Sequence, residues 1–529
     1  MSLQNGRYKA ATPAQAAEGW SLQRLTSPSS LFGANGLRNG PDGRVYVAQV
    51  AGSQISALDL ASGALETISA AGSDVVAPDD VAFDAQGNLY ITEYYDGRVS
   101  VRDKSGKTRV LRDDVPGANG ITVHDGRLFI DECRIGGRLL ELDLNGGAPR
   151  VLAENLMMPN ALEAGPDGKL YFPVLGTNEI ARIDPAGGTP EKVAGELGGP
   201  TAVKFDAKGR IVSTQVGSGQ VLRIDPQSGE RSVLAQLPPG IDNLTFVGER
   251  LFVSHFTGTI AEVLGDGKTR NVVEGGLSWP LDLAVASDGS VFIADGHHMF
   301  KVPPGGKLEV VGMFMMPGFP GNVRGLAAAG DGELLVTNAN GQVSRYRPAA
   351  GENEVIAEGL DQIYGIALAP NGAAVVVEQG TGRVLSIKTG NTEVLATGLK
   401  NPVGVAVASD GSVYVAETGR VVKLAGGKSE AVIDGLQQPQ GLVVHDGVLY
   451  VVDAGAKTVT SLDLKSKSKA VIARELPVGA PPGVTAKPLR GIAPFTGPQG
   501  PFAGITAGAD GTLYVAADGE GSVLALRKR

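Results

Sequence analysis

The chain has 529 residues, of which 76 are glycine and 31 proline, with 42% hydrophobic and 19% charged residues. About one residue in five is a turn-former, and glycine costs about 1 kcal/mol and proline about 3 in a helix interior, which excludes a mainly helical fold and favours an all-β one. Forty-seven basic residues against 56 acidic ones leave a net charge of −9. Without a Lys/Arg cluster, that balance argues against nucleic acid as a partner.

No stretch reaches the ~18 apolar residues that a membrane span needs. The opening MSLQNGRYKAATPAQAAEGW lacks the apolar core of a secretory signal, which predicts a soluble, cytoplasmic protein with no membrane partner. A single cysteine, Cys133, leaves no intrachain disulfide and no multi-cysteine zinc site.

In chain order, residues 1–19 read as an N-terminal extension and WSLQRLTS at 20–27 as an isolated strand. One phrase then recurs twelve times: a turn of the D-G type, a variable residue and a short apolar strand, as in PDGRVYVA, HDGRLFID, SDGSVFIA and ADGTLYVA. Its fifth position falls at Tyr46, Tyr90, Phe129, Tyr171, Val212, Phe252, Phe292, Leu335, Val375, Tyr414, Tyr450 and Tyr514, at intervals of 36–44 residues until a last one of 64.

Four short strands in ~40–45 residues, joined by Asp-Gly turns whose positive φ suits two-residue hairpins, are the pattern of a propeller blade. Twelve blades exceed the roughly 4–8 of one propeller, so the repeat predicts two tandem six-bladed β-propellers. If the strand at 20–27 completes the sixth blade, the first propeller spans 20–265 and the second 266–529, the latter with a long loop at 476–502. The alternative is that this strand completes the twelfth blade, which stops after its third strand at SVLALRKR.

The first strand of each blade lines the central channel, and counting back 9 to 11 residues from each anchor finds the residue at the mouth. In the first propeller these are Asn35, Asp80, Asn119, Asn160, Thr201 and Asn243; in the second, Asp282, Arg324, Tyr364, Val403, Gln440 and Ala503. Asn and Asp begin strands for local reasons too, but the second propeller has the same turns and does not repeat the choice. A ring of side-chain oxygens suits a divalent cation, Ca²⁺ above all, with Mg²⁺ or Zn²⁺ as further options.

The motifs ANGI at 118–121, PNAL at 159–162 and IDNLTFVGERLFVSH at 241–255 resemble the SMP-30/gluconolactonase/paraoxonase superfamily of six-bladed propellers. The blade repeat is shared with NHL-type propellers. The resemblance implies a calcium- or zinc-dependent lactonase or esterase, with Asn119, Asn160, Asp242 and Asn243 as metal ligands and His255 in the pocket. Where the superfamily has an early glutamate ligand this chain has Asn35, leaving Asp80 to supply the charge, and Asp80 also stands where the paraoxonase branch has a histidine.

With a cation in the ring, the accessible chemistry is hydrolysis of a lactone or ester. Candidate bases at the mouth-side ends of second strands are Glu93, Asp131, Glu132 and His255, of which the histidine titrates nearest neutrality. Met157, Met158, Phe256 and Thr201 read as contacts to a small, hydrophobic substrate. Two other readings stay open: a non-catalytic ligand- or protein-binding propeller, and a lyase or isomerase in the second propeller built on Arg324, Tyr364, Glu378, Glu417 and His297.

Overall fold

The computed structural model of the chain describes residues 7–8 and 12–529 apart from 331, 389 and 494–495, so the 1–19 extension and the 476–502 loop fall partly outside the described residues. Among those residues the chain forms twelve antiparallel sheets, eleven of four strands and one of five. They divide into two compact units, each a six-bladed propeller. No helix among the described residues is long and apolar enough to cross a membrane.

The recurring phrase has a local cause. In the first blade Asp42 accepts the Arg44 N–H (3.1 Å) and the Tyr46 hydroxyl (3.1 Å), so one carboxylate fixes both the turn and the anchor. Gly43 sits at φ 78°, which only glycine adopts without strain. Asp167 does the same for Lys169 and Tyr171, and Asp84 for Asn88 and Tyr90.

The first unit comprises Ser30–Gly275 and Thr485–Ile492. Its six blades run over 37–69, 78–112, 118–157, 163–194, 200–236 and 241–273, each built from consecutive strands. Blade faces bury aliphatic clusters against one another, such as Val99, Ile121, Ile130 and Leu140 between blades 2 and 3. The ring closes between blades 6 and 1 without a shared sheet. Phe252, Ile260 and Val273 pack on Leu37, Val45 and Val47, and Ser254 Oγ donates to the Asn35 carbonyl (2.6 Å).

The second unit comprises Gly6–Ser29, Gly276–Val484 and Ala493–Arg529, with blades beginning at Asp282, Val323, Ile363, Gly404, Pro439 and Ile505. Here the chain order corrects the sequence reading. Trp20–Arg24 pairs antiparallel with Ser522–Lys528, so it completes the twelfth blade and not the sixth. Gln15–Ala16 adds a fifth strand to the eleventh blade through Arg474 and Ala473. The propellers therefore span 30–275 and, with the N-terminal strands, 276–529, in place of 20–265 and 266–529. The sixth blade needs no borrowed strand, because Thr269–Val273 already supplies its fourth.

Candidate functional site

The inner strands of blades 2, 3 and 6 share an irregularity at their mouth ends. The ladder slips between Pro78 and Val81, between Ala118 and Ile121, and between Ile241 and Leu244, so two residues occupy the place of one. The second residue of each pair, Asp80, Gly120 or Asn243, gives its N–H to the side chain two places past the anchor: Thr92 (3.0 Å), Asp131 (3.0 Å) or Ser254 (2.9 Å). The first residue, Asp79, Asn119 or Asp242, contributes its side chain to a buried polar chamber at the mouth.

Asn160 enters the same chamber and donates from Nδ2 to Cys133 Sγ (3.6 Å). Asp242 accepts from Asn35 Nδ2 (3.3 Å), and burial, together with the charge of Asp80, pushes its carboxyl up to about 7. Among the described residues none makes a hydrogen bond or ion pair to the Asp79 carboxylate, and Asp79 is 9% exposed. Burial first, then the charges of Asp242, Asp80 and Asp131, push its carboxyl well above the usual range. The same burial and the same carboxylates keep the Cys133 thiol protonated.

Beneath the chamber the channel is charged. Arg38, opposite anchor Tyr46 in the ladder, donates to Glu163 (2.9 Å), Asp80 (3.5 Å) and the carbonyls of Val81 and Ile121 (2.8 Å each). Lys204, opposite anchor Val212, completes the network on Glu163. In the second propeller the corresponding positions opposite Phe292, Leu335, Val375 and Tyr414 are all alanine. Arg38, Glu163, Lys204 and Asp79 were not found by counting back to strand starts; charged residues opposite the anchors of one propeller alone were the available signal.

Three expected ring ligands are committed elsewhere. Asp80 Oδ1 accepts the Val81 N–H (2.8 Å) and its other oxygen faces Arg38. Asn243 Oδ1 accepts the Leu244 N–H (2.7 Å) and Asn35 Oδ1 the Val50 N–H (3.2 Å). Thr201, read as a substrate contact, gives its hydroxyl to the Asp242 carbonyl (2.6 Å). Asn119, Asn160 and Asp242 remain around the chamber, joined by Asp79. Among the described residues no group of three or more His, Cys, Asp and Glu side chains is arranged to hold a metal ion; the donor set here is half amide.

The expected bases fare differently. In most blades the residue three past the anchor ties down the mouth loop of its own blade: Gln49 accepts the Phe32 N–H, Glu93 the Val76 N–H, Gln215 the Gly198 N–H and Asp295 the Ser278 N–H. His255 holds this post in blade 6. Its Nε2 meets the Pro239 carbonyl (2.8 Å), its Nδ1 meets the Thr257 N–H (3.1 Å) and hydroxyl (2.8 Å), and burial lowers its pKa to about 4. Both ring nitrogens are thus structural, as are Glu93, paired with Arg98 (2.6 Å), and Glu132, held by Arg134 (3.0 Å) and Arg138 (2.9 Å).

Asp131 is structural in another way. Thr92, Thr214, Ser254 and Thr337, at the same place in other blades, each donate a hydroxyl to a carbonyl of the neighbouring blade at 2.5–2.6 Å. Asp131 takes the Gly120 N–H with Oδ1, while Oδ2 is buried without a hydrogen-bond partner. Burial pushes this carboxyl well up, opposed by the Gly120 N–H and aided by Asp80 and Glu132. Asp131 thus occupies the hydroxyl's place, and burial favours its protonated form there. Asp131→Thr is accordingly expected to match or exceed the wild type in urea denaturation, whereas Asp131→Ala loses about 1–3 kcal/mol.

At the rim, Met157 is 40% exposed and pairs with Ile135, 50% exposed, where the outer strands of blade 3 extend toward the mouth. Met158, next to Met157, and Phe256, at the mouth end of blade 6, are half-buried.

The mouth of the second propeller is filled by its own chain. Arg324, fully buried, stacks on Tyr364 (4.6 Å) and donates to the carbonyls of Ile363 (3.2 Å) and Pro498. Gln440 binds the Ala503 N–H (2.7 Å), and Phe502 packs on Tyr364 and Leu281. Glu378 holds the Asp361 N–H and Arg383, and Glu417 the Lys400 N–H and Arg420. His297 lies against Phe314. These residues serve closure and loop anchoring, which removes the lyase constellation expected from them.

A six-bladed propeller with a polar, anionic chamber at its mouth defines the class of the first unit. Residues 6–256, which include most of the first propeller, match the family model described as SMP-30/Gluconolactonase/LRE-like region. No curated protein sequence matches the chain. Among solved structures, virginiamycin B lyase from Staphylococcus aureus is 18% identical over 52% of this chain and 96% of its own, with a TM-score of 0.39. Regucalcin from Agrobacterium tumefaciens, described as a calcium-binding protein, is 22% identical over 44% and 85%, with a TM-score of 0.37. The extracellular domain assigned to a hybrid two-component system of B. thetaiotaomicron is 9% identical over 96% and 82%, with a TM-score of 0.33.

Proposed function

We propose that the first propeller is a divalent-cation-dependent hydrolase of lactones or esters, with Ca²⁺ as the resident ion. The observation that carries this reading is a charge deficit. Fully ionised, the four carboxyls Asp79, Asp80, Glu163 and Asp242 would outnumber the two cations of the same buried network, Arg38 and Lys204, by two, and without an ion burial and mutual repulsion favour protons on Asp79 and Asp242 in its place. Buried charge is costly unless neutralised, and the shortfall equals one divalent ion. Hard oxygens of carboxylate and amide suit calcium, so the residues present fit the group.

Asn119, Asn160 and a chamber carboxylate would hold the ion. When bound, it supplies Lewis-acid polarisation of the substrate carbonyl. Asn160, whose Nδ2 points to Cys133, keeps its Oδ1 as the free acceptor. Asp242, steadied at Oδ2 by Asn35 and titrating at about 7, has the range to take a proton from an attacking water near neutral pH. Arg38 and Lys204 close the channel below and keep bulk water to one side. Met157 and the paired Ile135 offer the leaving or acyl arm of the substrate an apolar rest.

The test is turnover of γ- and δ-lactones and aryl esters by the whole chain. Hydrolysis is expected to be lost in EDTA, restored by Ca²⁺, and reduced about 10²–10⁴-fold by Asp242→Asn. Turnover indifferent to EDTA and to Asp242→Asn would sink the reading.

A further inference from the structure

We propose that Asp79 supplies the anionic grip on the cation, so that the ion is held from blade 2 rather than from a blade-1 acid or from Asp80. This rests on the cation-dependent reading above and adds the residue on which its charge balance turns.

The argument is one of register. The slipped ladder puts Asp79, Asn119 and Asp242 at one and the same structural position in blades 2, 3 and 6. The residue after each is spent on its own blade: Asp80 and Asn243 cap the following N–H, and Gly120 lies against the Ala161 backbone. A Cβ on Gly120 would stand 2.4 Å from Ala161 C and 2.4 Å from Asp131 Oδ2, so nothing larger fits that second place. Only the first place of each bulge is available to a ligand.

Asp79 is also the chamber acid that the protein leaves unsatisfied. Asp80 has Val81 and Arg38, Asp242 has Asn35, and Glu163 has Arg38 and Lys204. Among the described residues no donor reaches the Asp79 carboxylate, although its backbone is held firmly, with its carbonyl accepting the Gly36 N–H at 2.7 Å. A buried carboxylate with a fixed backbone and no donor is costly without a counter-charge. Asn35, in blade 1, has already turned its amide oxygen to Val50 and its amide nitrogen to Asp242. The place where an acid would otherwise come from blade 1 is thus closed.

Three consequences separate Asp79 from its neighbour. Tb³⁺ luminescence and Ca²⁺ calorimetry on the full chain are expected to show binding weakened about 30-fold or more in Asp79→Asn and changed less than about threefold in Asp80→Asn. Urea denaturation supplies a readout that misfolding cannot mimic. In EDTA, Asp79→Asn is expected to be at least as stable as the wild type, because the carboxyl it replaces accepts from no donor among the described residues; in Ca²⁺ it becomes the less stable of the two. Asp80→Asn, which loses its Arg38 contact, is expected to be less stable in both. Wild-type protein that takes up neither ion removes the cation reading and this assignment together. Wild-type binding that survives Asp79→Asn undiminished, or an Asp79→Asn protein that is weaker than wild type in EDTA, overturns the assignment of Asp79 alone.

Discussion

Removing residues 1–29 is expected to unravel the second propeller and leave the first folded. The twelfth blade takes its outer strand from Trp20–Arg24, whose five residues pair with Leu524–Lys528. Trp20 and Leu22 pack on the cluster that includes Val459, Val515, Leu524 and Leu526. Arg24 forms a two-point pair with Glu520 (2.7 and 2.9 Å). Upstream, the Arg7 guanidinium donates to the carbonyls of Gly519 (3.1 Å), Ser278 (2.5 Å) and Asp518 (2.8 Å). Strand hydrogen bonds are worth about 0.5–1.5 kcal/mol each, and burying an aromatic or leucine side chain about 1.5–3 kcal/mol. Losing this set forfeits several kcal/mol at once, a fall of ~10 °C or more for a unit of this size.

Hydrogen exchange localises the effect. Amides of blades 7 to 12 should lose protection in the truncated chain while those of blades 1 to 6 keep theirs, since every blade between 37 and 273 is made from its own strands. Gln23→Pro, which deletes the N–H that faces Ala525 across the ladder and disturbs the strand around it, should move the same amides in the same direction. Equal loss of protection in both halves would contradict the assignment of the N-terminal strand to the second propeller alone.

The propeller pair was legible because its cause is local and repeated: a glycine turn followed by a short apolar strand can be read twelve times from sequence, and in several copies an aspartate fixes both the turn and a tyrosine anchor. The boundary was not, because the decisive pairing joins residue 20 to residue 528, and no short-range pattern tells a closing strand which sheet it closes. At the site, Asn119 and Asn160 could be picked out by counting from the anchors and Asp242 by the family resemblance, but Asp79 could not. A strand alternates faces residue by residue, and one inserted residue between Pro78 and Val81 exchanges the parts of Asp79 and Asp80. The bases failed for a related reason. Glu93, Glu132 and His255 sit where both propellers place a loop-anchoring side chain, a regularity that shows only when Glu378, Glu417 and Asp453 are set beside them.

The second large effect is a stability that falls with rising pH in the metal-free protein. Burial raises Asp242, Asp282 and Asp295 to about 7 and Asp518 to about 6, and lifts Asp79 and Asp131 well above their usual range. A carboxyl whose folded value lies above its unfolded one binds its proton more tightly in the folded chain. Its contribution is complete below pH ~4 and is lost, at about 1.4 kcal/mol per pH unit, as pH climbs toward the folded value. His255 and His297, both lowered to about 4 by burial, act in the opposite sense, because the unfolded chain takes up their protons as pH falls below ~6.5. The two groups of residues oppose each other between pH 4 and 6.5 and leave the carboxyls alone above it.

Urea unfolding in EDTA is therefore expected to show stability already falling below pH ~6.5, easing as pH passes about 7, and continuing beyond it through Asp79 and Asp131. Asp242→Asn should shallow the slope just below 7. Added Ca²⁺ should flatten the part that comes from the first propeller, since an ion then replaces the protons that Asp79 and Asp242 give up. A stability that stays level or climbs through neutral pH in EDTA would mean that these carboxyls are already neutralised within the chain, and the charge deficit at the mouth of the first propeller would no longer call for a cation.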